Sequence, residues 1–131
     1  MGAWGLKSFD NDDAMDWVAE FEEAGAEAVK ASLDAALNDN DELESPEACE
    51  ALAAAEVVAA AKTGDPTNLA QDAASALARH ASEIATPENI VLAKDAVERI
   101  KAKSELRDLW QETDEFDAWI KDVEALESRL T

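Results

Sequence analysis

The sequence predicts an all-α fold: a single compact bundle of five to seven helices around a buried, alanine-rich central helix. Three observations lead there. Apolar residues make up 47% of the 131 residues, and most of them are alanine, the strongest helix former because it loses no side-chain entropy in a helix. Only four glycines and three prolines punctuate the chain, and each proline follows a residue that can cap a helix. The larger apolar residues recur at i, i+3, i+4 and i+7, the period of one helical face, with no strand-like alternation and no internal repeat. The length suits one domain, residues 1–131, and a domain of this size buries roughly two-thirds of its unfolded surface.

The elements follow in order. Residues 1–12 read as an N-terminal docking segment in which Trp4 folds back onto the bundle. The first helix starts near Asp10 or Asp12. With Asp10 as N-cap, Phe9 precedes the cap, Asp13 takes the third helical position and Ala14 the fourth, which resembles a capping box with a hydrophobic staple. Asp12 and Asp13 then lie in the first turn, where the helix dipole favours negative charge by roughly 0.3–1 kcal/mol each. Ala14, Trp17, Val18 and Phe21 form its apolar face. Gly25 bends or ends it, and Val29, Leu33, Ala36 and Leu37 continue the period towards Asn38. Residues 38–45, NDNDELES, read as an acidic loop. Ser45-Pro46 opens a helix over 46–63 whose stretch ALAAAEVVAAA is apolar almost all round, so it is expected to be buried on several sides. Gly64 stops that helix. Asp65-Pro66 opens the next, over 66–84, with Leu69, Ala73, Leu77, His80 and Ile84 on one stripe. Thr86-Pro87 opens 87–102, with Ile90, Ala93, Val97 and Ile100. Ser104 caps a shorter helix holding Leu106, Leu109 and Trp110. The last helix, over 114–130, places Phe116, Trp119, Ile120, Val123, Leu126 and Leu130 on one face.

The charge restricts the partners. The 31 acids and 11 bases leave a net charge of −20. Phosphate binding needs clustered lysine and arginine, so direct nucleic-acid binding is excluded, and anionic membrane surfaces are disfavoured for the same reason. A basic protein is the favoured partner class, set against the plainer view that the charge serves solubility or a salty habitat. The first 56 residues hold 16 acids against 2 bases, a charge of −14, while the remainder holds 15 against 9, a charge of −6. An electrostatic binding face is therefore expected in the first half. The one cysteine, Cys49, allows no internal disulfide and no cysteine zinc site, and it fits a reducing cytoplasm. No secretory signal and no apolar run of about 18 residues is present.

Few residues offer chemistry. The opening stretch FDNDDAMDW supplies Asp10, Asp12 and Asp16 as hard oxygen ligands, but the calcium-loop pattern counted from Asp10 requires glycine and glutamate where Met15 and Phe21 stand. No metal is expected there. Helix-start chemistry accounts for most of its acids; the partner-binding reading uses Trp4, Asp10, Asp12, Asp13 and Asp16. Glu56 falls on the apolar side of its helix, between Leu52 and Cys49. Burial there would raise its pKa and demand a partner: a Trp indole N–H, His80 or an arginine. His80, the only histidine, lies on an apolar stripe, where a hydrogen-bonded core role outweighs a catalytic one. Nothing local supports a Cys49–His80 nucleophile pair. No phosphate loop, nucleophile elbow or zinc-protease motif occurs, so no catalytic residue and no cofactor are assigned. Trp110, Phe116 and Trp119 read as core anchors.

The opening GAWG, the FDNDDAMDW at 9–17, the alanine-rich segment with Glu56 and the ending SELRDLW…WIKDVEALESRL resemble a bacterial family of unknown function, DUF4259, over essentially the whole chain. The resemblance implies a small helical domain and supplies no catalytic residues. Two functional expectations result. One is a non-enzymatic interaction module whose acidic half binds a basic protein, with a DNA mimic as its special form. The other is a small enzyme or ligand-binding domain in which Glu56 and His80 converge on a pocket. The sequence leaves oligomeric state open.

Overall fold

In a computed structural model, which describes residues 5–38 and 42–131, seven helices and no strand are found among the described residues. They are α1 (Asp12–Ala24), α2 (Ala26–Leu37), α3 (Ser45–Thr63), α4 (Gln71–Ile84), α5 (Pro87–Ala102), α6 (Glu105–Gln111) and α7 (Phe116–Leu130). The all-α bundle is as the composition predicts.

The alanine-rich helix is the axis. α3 touches α1, α2, α4, α5, α6 and α7, and every residue from Ala51 to Ala60 is buried. Small side chains make this possible, because a methyl group lets a neighbouring backbone approach closely. Alanine burial is individually modest, about 0.8 kcal/mol per methyl-sized group. The bulk of the core comes from the surrounding helices: Trp17 and Phe21 of α1, Leu33 of α2, Ile84 of α4, Ile100 of α5, and Trp119, Leu126 and Leu130 of α7 are all buried. Trp17 and Phe21, one turn apart, stack with ring centroids 5.3 Å apart. Trp119 stacks between Trp110 and Phe116, and Arg107 lies over the Phe116 ring at 5.2 Å.

Most helix boundaries follow their local signals. Gly64, at φ 78°, ends α3 in the left-handed conformation that favours glycine. Gly25, at φ 62°, joins α1 to α2. The Thr86 hydroxyl accepts from the Asn89 amide, and the Ser104 hydroxyl from the Arg107 amide, as N-caps should.

Three boundaries differ from the sequence expectation. The N-cap of α1 is Asn11 and not Asp10: the Asn11 Oδ1 accepts from the Ala14 amide at 2.8 Å, and its Nδ2 donates to the Ser8 carbonyl. Asp10 instead turns back, accepting from the Lys7 amide, and its carboxylate occupies the space a Cβ at Gly5 would take. Asp12 and Asp13 keep their first-turn places. Ser45 is the first residue of α3, not its cap. Its amide donates to the Glu105 carboxylate, while the Glu105 amide donates to the Leu43 carbonyl, so α6 serves the start of α3. Leu43 is buried, which pins the end of the acidic loop; its residues 39–41 lie outside the described set. Asp65-Pro66 opens a turn and not a helix. Asp65 accepts from both the amide and the hydroxyl of Thr67, and the Leu69 amide donates to the Pro66 carbonyl. An Asx turn outcompetes helix initiation here, and α4 begins five residues later than expected.

The close approach to α3 yields a prediction. Ala54 is fully buried, so Ala54→Leu overpacks the axis and should lower stability by roughly 1–3 kcal/mol. Urea unfolding followed by circular dichroism measures it, and an unchanged midpoint would contradict the packing described.

Candidate functional site

Two groups of polar side chains stand out, one around Glu56 and one of carboxylates on α1 and α3.

The first is built around Glu56. Its position on α3 points it inward, and only 2% of it is exposed. Its two carboxylate oxygens are divided between partners from distant parts of the chain. The Arg129 guanidinium of α7 donates to Oε1 at 2.7 Å, and the Ser8 hydroxyl donates to Oε2 at 2.9 Å. Next to this clasp, the Lys7 ammonium donates to Asp122 at 2.8 Å. Burial pushes the Glu56 pKa up, and the hydrogen bonds and charge of Arg129, with Ser8, oppose that rise. Asp122 and its hydrogen bond raise the Lys7 pKa. The arginine is the partner that a buried carboxylate at this position requires.

Glu56 also forms part of the wall of an open cleft of about 460 Å³ between the N-terminal segment and the turn before α4. Lys7 and Asp10 stand on one side, Thr67, Asn68, Leu69 and Ala70 on the other, with Phe9 and Met15 adding apolar surface.

The second group is a carboxylate face. Asp13, Asp16 and Glu20 share one side of α1 by their spacing of three and four residues. Glu47 and Glu50 lie near the start of α3. Glu50 has its pKa raised first by burial and then by Glu20, Glu47, Asp13 and Asp16, all pushing in the same direction. One Glu47 carboxylate oxygen is shut from solvent with no hydrogen-bond donor among the described residues. None of the five acids forms an ion pair among the described residues. Cys49 sits beside this face, and burial, with Asp13 and Glu50, pushes its thiol up to about 12. It stays a protonated thiol at neutral pH.

The structure thus divides the residues singled out by sequence. Asp13 and Asp16 join the acidic face. Asp10 lines the Glu56 cleft. Asp12 is exposed in the first turn of α1, and Trp4 lies outside the described residues. His80 is half-buried, with 31% of its side chain exposed. It faces Glu83 at 3.6 Å and stacks against Gly25, so it is neither a core histidine nor among the residues lining the Glu56 cleft. Cys49 lines a small internal cavity with Leu52, Leu106 and Trp110. Among the described residues, no three His, Cys, Asp or Glu side chains are placed to hold a metal ion, and no helix is long and apolar enough to cross a membrane. Sequence reasoning missed Glu20, Glu47 and Glu50: the helical spacing of Glu20 with Asp13 and Asp16 is visible in the sequence, but nothing local places Glu47 and Glu50 of α3 beside them. It also left Ser8 and Arg129 unnamed, and no local signal links them to Glu56.

The Glu56–Arg129 pair yields a second prediction. A carboxyl group whose folded pKa is raised contributes stability that is complete below its unfolded pKa and lost as pH rises through the folded value. Arg129 limits that loss. Arg129→Ala should therefore destabilise the protein by about 3 kcal/mol at pH 7, the low end for a broken buried pair because Arg129 is itself partly exposed. The penalty should shrink towards pH 4, where Glu56 takes up a proton. Urea midpoints at the two pH values decide it, and a pH-independent penalty would refute the coupling.

Comparison with curated proteins and with solved structures finds no match. The family model described as a domain of unknown function, DUF4259, matches residues 2–122, nearly the whole chain, and the protein therefore belongs to the DUF4259 family.

Proposed function

We propose that the protein is a non-enzymatic interaction module that binds a basic protein through the acidic face of α1 and α3. The supporting observation is the crowding of Glu20, Glu47, Asp13 and Asp16 around Glu50, whose pKa is raised first by burial and then by these four charges. Like charges held together cost folding free energy, and a cationic surface laid over them would relieve that cost while speeding encounter. Stability given up at one place on a surface is a mark of function there. The buried single cysteine suits a reducing cytoplasm, and the charge of −20 opposes direct nucleic-acid binding. A DNA mimic is a special form of this reading, in which duplex DNA competes for the same partner. The alternative of an enzyme or ligand-binding domain using Glu56 and His80 together has less support, because His80 packs on Gly25, away from the residues that line the cleft.

The test compares the wild-type chain with a variant carrying Asp13→Asn, Asp16→Asn, Glu20→Gln, Glu47→Gln and Glu50→Gln. In pull-downs from lysate the wild type should retain a basic protein at low salt and release it near 1 M, where charges are screened beyond about 3 Å. The variant should lose that protein yet melt at a higher temperature at pH 7, because the repulsion is gone. If no salt-sensitive partner is captured, or if the variant binds equally well, the reading fails.

A further inference from the structure

The Glu56 cleft is separate from the acidic face. None of Asp13, Asp16, Glu20, Glu47 and Glu50 is among the residues that line it, and on α1 Met15 stands roughly 100° round the helix from Asp16 and about 160° from Asp13. The cleft lies within the size range of small-molecule sites, roughly 300–1,000 Å³. It also has their composition: apolar walls from Phe9, Met15 and Leu69, with a few polar groups placed around them.

Its charge selects the ligand. The ionic groups that line the cleft, with their ion-pair partners, are Lys7, Asp10, Glu56, Asp122 and Arg129, two cations against three carboxylates. Both cations are already committed, Lys7 to Asp122 and Arg129 to Glu56. One negative charge is left over, and among these groups Asp10 has no cationic side-chain partner. Each Glu56 oxygen accepts one hydrogen bond from a side chain, and a carboxylate oxygen has two lone pairs. An anionic ligand would meet this excess charge and the field of the whole chain. A neutral apolar one would leave the carboxylates unanswered.

We propose that this cleft binds a small organic ammonium ion, its charged head directed at Asp10 and Glu56 and its apolar body against Phe9, Met15 and Leu69. The site does not depend on the acidic α1–α3 face, and its failure would leave that reading intact.

Three probes with a similar aromatic body and different head groups test it: 2-phenylethylammonium, 2-phenylethanol and 3-phenylpropionate. Each is titrated into the full ¹⁵N-labelled chain at pH 7 in about 0.15 M salt, where screening over about 8 Å suppresses general attraction of cations. The ammonium probe should give saturable amide shifts confined to residues 7–10, Met15, Glu56 and residues 67–70. The alcohol should bind about tenfold more weakly, the loss of roughly one charged contact, and the carboxylate should give no shifts. Because Glu56→Gln also unpairs Arg129, the decisive variants lie at the rim. Asp10→Asn should weaken the ammonium probe about tenfold, and Met15→Trp, which fills the cleft from an exposed position, should abolish its shifts while leaving circular dichroism and melting unchanged. Equal response to all three probes, shifts located on the α1–α3 face, no saturable shift, or full binding by Met15→Trp would each overturn the proposal.

Discussion

The near-complete burial of α3 is the constraint on which the rest of the structure depends. A helix enclosed on all sides can accept neither long side chains, which would push its neighbours away, nor charges without partners. Alanine answers the first demand. The second is met once, at Glu56. A carboxylate in that position needs donors, and α3 supplies none from its own turns. They come instead from Ser8, before α1, and from Arg129, in the last turn of α7. The central helix thereby sets where the outermost segments of the described chain must lie.

The acids of this protein exist in two regimes. Inside, Glu56 and Asp122 are matched to Arg129 and Lys7, and their charge serves to position chain segments. On the α1–α3 face, carboxylates crowd together with no matching cation among the described residues. The overall charge of −20 conceals this difference, because composition counts the acids without saying which are answered.

Much of the architecture was legible in the sequence. The stretch from Ala51 to Ala61 announced a helix buried all round, and Gly64, Thr86 and Ser104 marked boundaries that the structure reproduces, because each acts through its own backbone conformation or through an amide three residues away. Errors arose where two local solutions competed. Asp10 and Asn11 are both good caps, and the choice rests on Ser8 and Phe9 being buried, a tertiary matter. Asp65 before Pro66 can start a helix or a turn, and the Thr67 hydroxyl, two residues on, decides for the turn. The candidate sites were only half legible. That Glu56 needed a partner followed from the helical wheel, but Arg129 lies 73 residues away. The acidic face requires α1 laid beside the start of α3, which no periodicity specifies. His80 shared a stripe with Leu77 and Ile84, yet the short loop at Gly25 leaves its ring partly in solvent.

The shared carboxylate has a topological consequence. Ser8 and Arg129 meet on one side chain, so the path of the chain between them nearly closes on itself. The fold is in effect a ring whose gap is spanned by two hydrogen bonds in place of a peptide. A cut in the exposed turn from Gly64 to Asn68 should therefore leave two pieces still joined at Glu56, because Ser8 and Glu56 fall on one side of the cut and Arg129 on the other.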